Sequence, residues 1–177
     1  MYGEYALPTD QYINGWPNKL SCCIVADEAF PLKTWLMRPY PGRNLSQEHR
    51  IFNYRLSRAR RTIENAFGVL TEKWRLLHKP IIGERENIMK IVKTMCVLHN
   101  IVKTKEPAMY TPAGYVDNGD NENGQWRAQG HQLEDIGHQG ARNSNVAAIT
   151  MRNEYCSYFN SENGRLSWQD DYINRLQ

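Results

Sequence analysis

Cysteine is scarce in this chain and unpatterned. Cys22, Cys23, Cys96 and Cys156 are the whole complement, and no two form a C-x-x-C pair. The five histidines, at 49, 78, 99, 131 and 138, do not pair with them at ligand spacing, which argues against a structural zinc site. The thiols read as buried, reduced residues of an intracellular protein. Long apolar runs are also missing, and none approaches the length that spans a bilayer. The opening MYGEYALPTDQ lacks the basic and apolar regions of a secretory signal, and so abrupt a start fits a truncated gene. A strong overall charge is absent too, the net being only +3 over 177 residues.

What charge there is lies unevenly. Residues 46–79 hold eight basic side chains against three acids, whereas residues 104–145 hold three against six. The first stretch suits a polyanion or a solvated helix face. Residues 1–20 have no periodicity and read as loop or the remnant of an earlier element. Ser21-Cys22-Cys23-Ile24-Val25-Ala26 reads as a short buried strand ending at Asp27. The prolines at 31, 39 and 41 make residues 31–45 a loop, with one helical turn near Lys33–Met37.

Ser46 is suited to cap a helix. Beyond it Phe52, Leu56, Ala59, Ile63, Ala66, Phe67, Leu70, Trp74 and Leu77 recur in steps of three and four, which predicts one long amphipathic helix stopped by Pro80. A second helix is expected from about Glu86 to Lys103, its centre around Met95–Leu98 packed in the core. From 104 to 145 Asn, Gln and Gly crowd out apolar residues, so a flexible insert is expected. A last helix is expected from Val146 to near Asn160, with Trp168 and the final residues docking back on the domain.

Two acids stand out by context. Asp27 sits at the carboxyl end of the predicted strand, where open α/β sheets bind ligands. Glu64 borders the apolar stripe of the long helix, with Arg60 and Arg61 one turn before it. Two readings stand for each. A strand-end and a helical carboxylate suit Mg²⁺ or Mn²⁺, which take oxygen ligands. Equally, Asp27 suits a turn former, and Glu64 an ion pair with Arg60 worth a few tenths of a kcal/mol. Glu28, the next residue along, faces the other side of the strand.

VADEAFPLKTWLMRPYP (25–41), FNYRLSRARRTIENAFGVLTEKWRLL (52–77), CVLHNIV (96–102) and YFNSENGRLSWQ (158–169) resemble, in order, segments of the PIF/Harbinger-type transposase-derived nucleases. That resemblance implies an α/β, RNase H-like fold with a DDE metal site, here helix-rich. It places Asp27 as the second Asp and Glu64 as the closing Glu, thirty-seven residues on. It implies a nuclear, divalent-metal-dependent DNA endonuclease, with DNA and a separate DNA-recognition protein as partners. Arg55, Arg58, Arg60 and Arg61 match its basic helix and are candidate phosphate contacts. His99 falls in the LHN motif and reads as a packed helix histidine. The residues before Asp27, Glu4 and Asp10 included, do not match the first Asp motif. The chain is therefore expected to be the C-terminal part of the domain, from 21 to 103, without the opening strands and weak or inactive alone. The alternative is a non-catalytic DNA-binding or protein-interaction relic.

Overall fold

A computed structural model describes residues 7–13, 15–118, 123–129 and 144–175. The strands are β1 (Gln11–Tyr12), β2 (Lys19–Leu20), β3 (Ile24–Val25) and β4 (Leu36–Met37). The helices are α1 (Gln47–Lys73), α2 (Arg85–Lys105), α3 (Pro107–Tyr110), α4 (Val146–Asn160) and α5 (Gln169–Arg175). The architecture is helix-rich with two small sheets, compatible with an α/β class. Among the described residues no helix is long and apolar enough to cross a membrane. The chain divides into two units, residues 1–60 with 136–177, and residues 61–135.

In the first unit β1 pairs with β2 antiparallel and β3 with β4 parallel. Within the stretch read as loop or remnant, Gln11–Tyr12 and Lys19–Leu20 thus pair as a short hairpin, turned at Gly15 with φ +78°, a backbone state that glycine adopts without strain. Residues 1–6 and 14 of that expected loop lie outside the described residues. The expected strand at 21–26 is shorter, Ile24–Val25, and Ile24 is half exposed, because β3 has a single neighbour. The expected helical turn at 33–37 does not form. Leu36 and Met37 instead run beside β3, Ala26 donating its N–H to the Met37 carbonyl at 2.8 Å, and this buries both side chains. The core gathers Leu32, Met37, Tyr40, Phe52, Leu56, Ala148 and Cys156. Phe52 and Leu56 lie one turn apart on α1. Ala148, Arg152 and Cys156 recur every four residues on α4, so they form one buried stripe. Ser46 caps α1, its Oγ accepting the His49 N–H at 3.3 Å, and Asn145 caps α4 by accepting the Ala147 N–H at 3.0 Å.

The second unit takes the C-terminal part of α1 with α2 and α3. The apolar period of α1 runs on to Leu77, but the helix ends at Lys73. Trp74, at φ −113° and ψ 88°, leaves the helical region, and His78 Nε2 bonds the Thr71 carbonyl at 2.9 Å in place of a further helical N–H. A turn of 3₁₀ helix covers Arg75–His78. Helix α2 runs two residues past its expected end and buries only Met95 and His99. Val97 and Leu98 are exposed instead of packed, because one stripe of α2 is covered and the rest is not.

The expected flexible insert is built in part. Tyr110 and Asp117 are buried, and Gln125–Gln129 forms a 3₁₀ turn. Polar bonds order these residues where apolar burial is lacking. Residues 119–122 and 130–143 of that expectation lie outside the described residues.

Truncating the most buried aromatic tests this core. Phe52→Ala is expected to destabilise by about 3–5 kcal/mol, while Ile82→Ala at a 97% exposed position stays within about 0.5 kcal/mol. Chemical denaturation of both variants checks it.

Candidate functional site

The chain leaves β3 through Ala26 and turns at once. Asp27 makes that turn, its Oδ1 accepting the Ala29 N–H at 3.0 Å while its carbonyl accepts the Phe30 N–H at 3.4 Å. Its other oxygen, Oδ2, faces Arg60 Nη2 at 3.5 Å. The carboxylate is 41% exposed, so a strand-end turn former and an accessible acid are the same residue here. The carbonyl of Glu28 accepts an N–H of Arg38 at 3.3 Å.

The four candidate arginines of α1, Arg55, Arg58, Arg60 and Arg61, equal in the sequence, are placed differently. Arg55 is occupied inside the first unit. It donates to the carbonyl of Gly164 and to Gln169 Oε1, and its guanidinium lies 4.1 Å from the Phe159 ring centre. Gln169 is itself buried and bonds the Phe159 carbonyl at 3.1 Å, so the 158–169 motif is a receptor for this side chain. Burial pushes the Arg55 pKa below its ordinary value. Arg58 lies over Trp168, 4.3 Å from the ring centre, and bonds the Tyr54 hydroxyl at 3.2 Å. Arg60 meets Asp27 as described. Arg61 donates to the Asn118 carbonyl at 3.5 Å.

Glu64 belongs to the second unit, where its carboxylate faces Arg127 Nη2 at 3.7 Å. Arg127 is held in turn by Asp117, whose side chain is fully buried. Nε of Arg127 donates to both Asp117 oxygens, at 3.1 and 3.0 Å, and Nη2 donates to Oδ2. Gly124 adds an N–H to Asp117 Oδ1 at 2.7 Å. Asn65, next to Glu64, seats this segment on the helix. It donates to the Asp117 carbonyl at 2.9 Å, and its own oxygen accepts the Asp117 N–H at 3.0 Å and the Trp126 indole N–H at 2.9 Å. Gly68, one turn on, makes room for that indole, since a Cβ there would stand 2.2 Å from it. Two residues of the IENAFG motif therefore hold the segment that carries the partner of Glu64. Asp117, Trp126 and Arg127 escaped sequence reading because they lie in a stretch without apolar period. The signal available was a lone tryptophan beside an arginine in a polar run.

His99 is a packed helix histidine. It is buried, and its Nδ1 lies 2.9 Å from the Tyr110 hydroxyl beside a cavity of about 140 Å³. Burial, then the charge of Lys103, push its pKa down.

Burial alone would raise the pKa of Asp117, but the bonds from Arg127 and the Gly124 N–H outweigh it and hold the carboxyl below its ordinary value. The stability so contributed is present above an unfolded pKa of about 4 and is lost as pH falls through the lower folded one. Asp117→Asn is expected to cost about 1–3 kcal/mol at neutral pH. The gap to the wild type should narrow below about pH 4, as pH-dependent urea unfolding would show.

Residues 18–100 match the DDE superfamily endonuclease family. Over 80 residues the chain is 35% identical to Protein ALP1-like of Arabidopsis thaliana, an overlap of 45% of this chain and 20% of that protein. The chain thus spans about a fifth of the length of this curated relative. No solved structure matches. Asp27, Glu64 and the candidate arginines Arg55, Arg58, Arg60 and Arg61 lie inside the matched segment, while Asp117, Arg127 and α4 lie beyond it. The likeness to the DDE superfamily endonucleases thus runs through residues 18–100 of the chain.

Proposed function

We propose that this chain is part of a transposase-derived, divalent-metal-dependent endonuclease that cuts DNA phosphodiesters within an RNase H-like fold. Asp27 and Glu64 are two of its metal carboxylates. The observation that carries this reading is the family match over residues 18–100, a range that contains both acids. Both are oxygen donors, 41% and 35% exposed, as a hard cation requires. Among the described residues no group of three or more His, Cys, Asp or Glu could hold a metal, so these residues do not complete a site. A bound pair of Mg²⁺ or Mn²⁺ ions would activate the attacking oxygen and stabilise the leaving one.

What the chain's own residues do is narrower. Ala29 fixes one oxygen of Asp27, and Arg60 and Arg127 neutralise the two carboxylates. Arg58 and Arg61 are the arginines proposed to meet DNA phosphates, with Arg60 second to its partner Asp27. Arg55 is proposed as structural, since its donors are spent on Gly164 and Gln169. The place of action would be the nucleus, with target recognition supplied by a separate DNA-binding protein. The basic side chains of α1 are compatible with a second reading, a relic that binds DNA or a protein partner without cutting.

Titration with Mn²⁺ followed by electron paramagnetic resonance separates the two. The nuclease reading expects binding that Asp27→Asn and Glu64→Gln each weaken by roughly tenfold or more, the loss of one charged ligand. A wild type that binds duplex DNA in a salt-dependent way but takes no Mn²⁺ establishes the relic. Arg58→Ala and Arg61→Ala should each weaken duplex binding and lower the salt slope by about one. Arg55→Ala should register as lost stability.

A further inference from the structure

The first unit buries two guanidinium groups, those of Arg38 and Arg152, each 9% exposed. Arg38 donates through Nη1 to the carbonyls of Glu28 and Phe30, at 3.3 and 3.2 Å. Arg152 donates through Nη1 to the Pro39 carbonyl at 3.3 Å, and its guanidinium lies 4.0 Å from the Tyr40 ring centre. The Nε of each is buried without a hydrogen-bond partner. Among the described residues neither arginine has a carboxylate partner. Backbone carbonyls and a ring face offset only part of the cost of burying a cation. Burial depresses the pKa of Arg152, and the positive charge of Arg38 adds to that.

Beside Arg152 opens a cleft of about 600 Å³, formed where Tyr40 and the start of α1 face α4. That volume falls in the range of small-ligand sites. Its walls offer donors. The His49 ring stacks flat on Tyr40, 3.7 Å between centres. The Tyr40 hydroxyl donates to Asn153 Oδ1 at 2.8 Å, which uses the acceptor of that amide and leaves its N–H groups for a ligand. Ser157 adds a hydroxyl, and Glu48 is the one acid of the lining.

We propose that this cleft binds a phosphate group, with Arg152 as its charge partner and His49, Asn153 and Ser157 as its hydrogen-bond donors. A phosphate carries the several acceptor oxygens that such a mixed donor set satisfies, and a guanidinium is the side chain suited to it. Arg152, Asn153 and Ser157 lie beyond the family-matched segment and His49 within it, and the site does not rest on Asp27 or Glu64.

Inorganic phosphate is the probe, titrated into the full chain against chloride at equal ionic strength and followed by calorimetry and thermal unfolding. The wild type should show saturable binding and a rise in unfolding temperature that grows with phosphate. Arg152→Met removes a buried cation and keeps its bulk. It should fold in chloride and lose the phosphate effect. His49→Ala and Asn153→Leu, at the rim, should each weaken binding by several-fold, and they decide the matter if Arg152→Met does not fold. A wild type without saturable binding overturns the proposal, and so does binding that survives unchanged in all the variants that fold. Displacement of the phosphate by a short DNA duplex would identify the source as a backbone phosphodiester. Retention would identify a free phosphate or a monoester.

Discussion

A carboxylate shut away from water must be answered by hydrogen bonds or a counter-charge, and Asp117 is answered by both. Its bidentate bond to Arg127 and the N–H of Gly124 close the 115–127 segment on itself. Asn65 then fastens that closed segment to α1 through main-chain atoms. From this one burial follow the room left at Gly68, the seat of Trp126 and the approach of Arg127 to Glu64. Were Asp117 solvated, none of these contacts would have a reason to form in so polar a stretch.

The first unit solves the opposite problem, burying cations. Arg55 is answered by a carbonyl, an amide oxygen and a phenyl face, whereas Arg38 and Arg152 are answered by carbonyls and Tyr40. The contrast separates a guanidinium bonded on all these sides from two whose buried Nε has no hydrogen-bond partner. It also sorts the arginines of α1 by what their donors already touch, which is a better guide to nucleic-acid contact than their number.

Much of this was legible. Helix α1 announced itself because its period runs through seven turns and Ser46 is a strong cap. Asp27 could be put at a strand end because the apolar run before it is short and stops there. The end of α1 was not legible, since Trp74 and Leu77 continue the stripe while the backbone at Trp74 has already left the helix. Nor was the arrangement of residues 115–118 and 123–127, which rests on an acid, an amide and an indole rather than on apolar spacing. Position 55 could not be told from 58 or 61, because what distinguishes it is a receptor more than a hundred residues away.

That distance bears on how the chain reaches its structure. The contact of Asn65 with Asp117 closes a loop of 52 residues, and those of Tyr40 with Asn153 and Arg55 with Gly164 close loops of 113 and 109. Closure entropy rises only slowly with length, about 0.6 kcal/mol per doubling, but that of the two longer loops is not repaid until α4 has been made. On a ribosome α1 is finished long before the helix that covers Phe52 exists. The interval, in which a long helix stands with an uncovered apolar stripe, is when this chain is most exposed to aggregation or to capture by a chaperone.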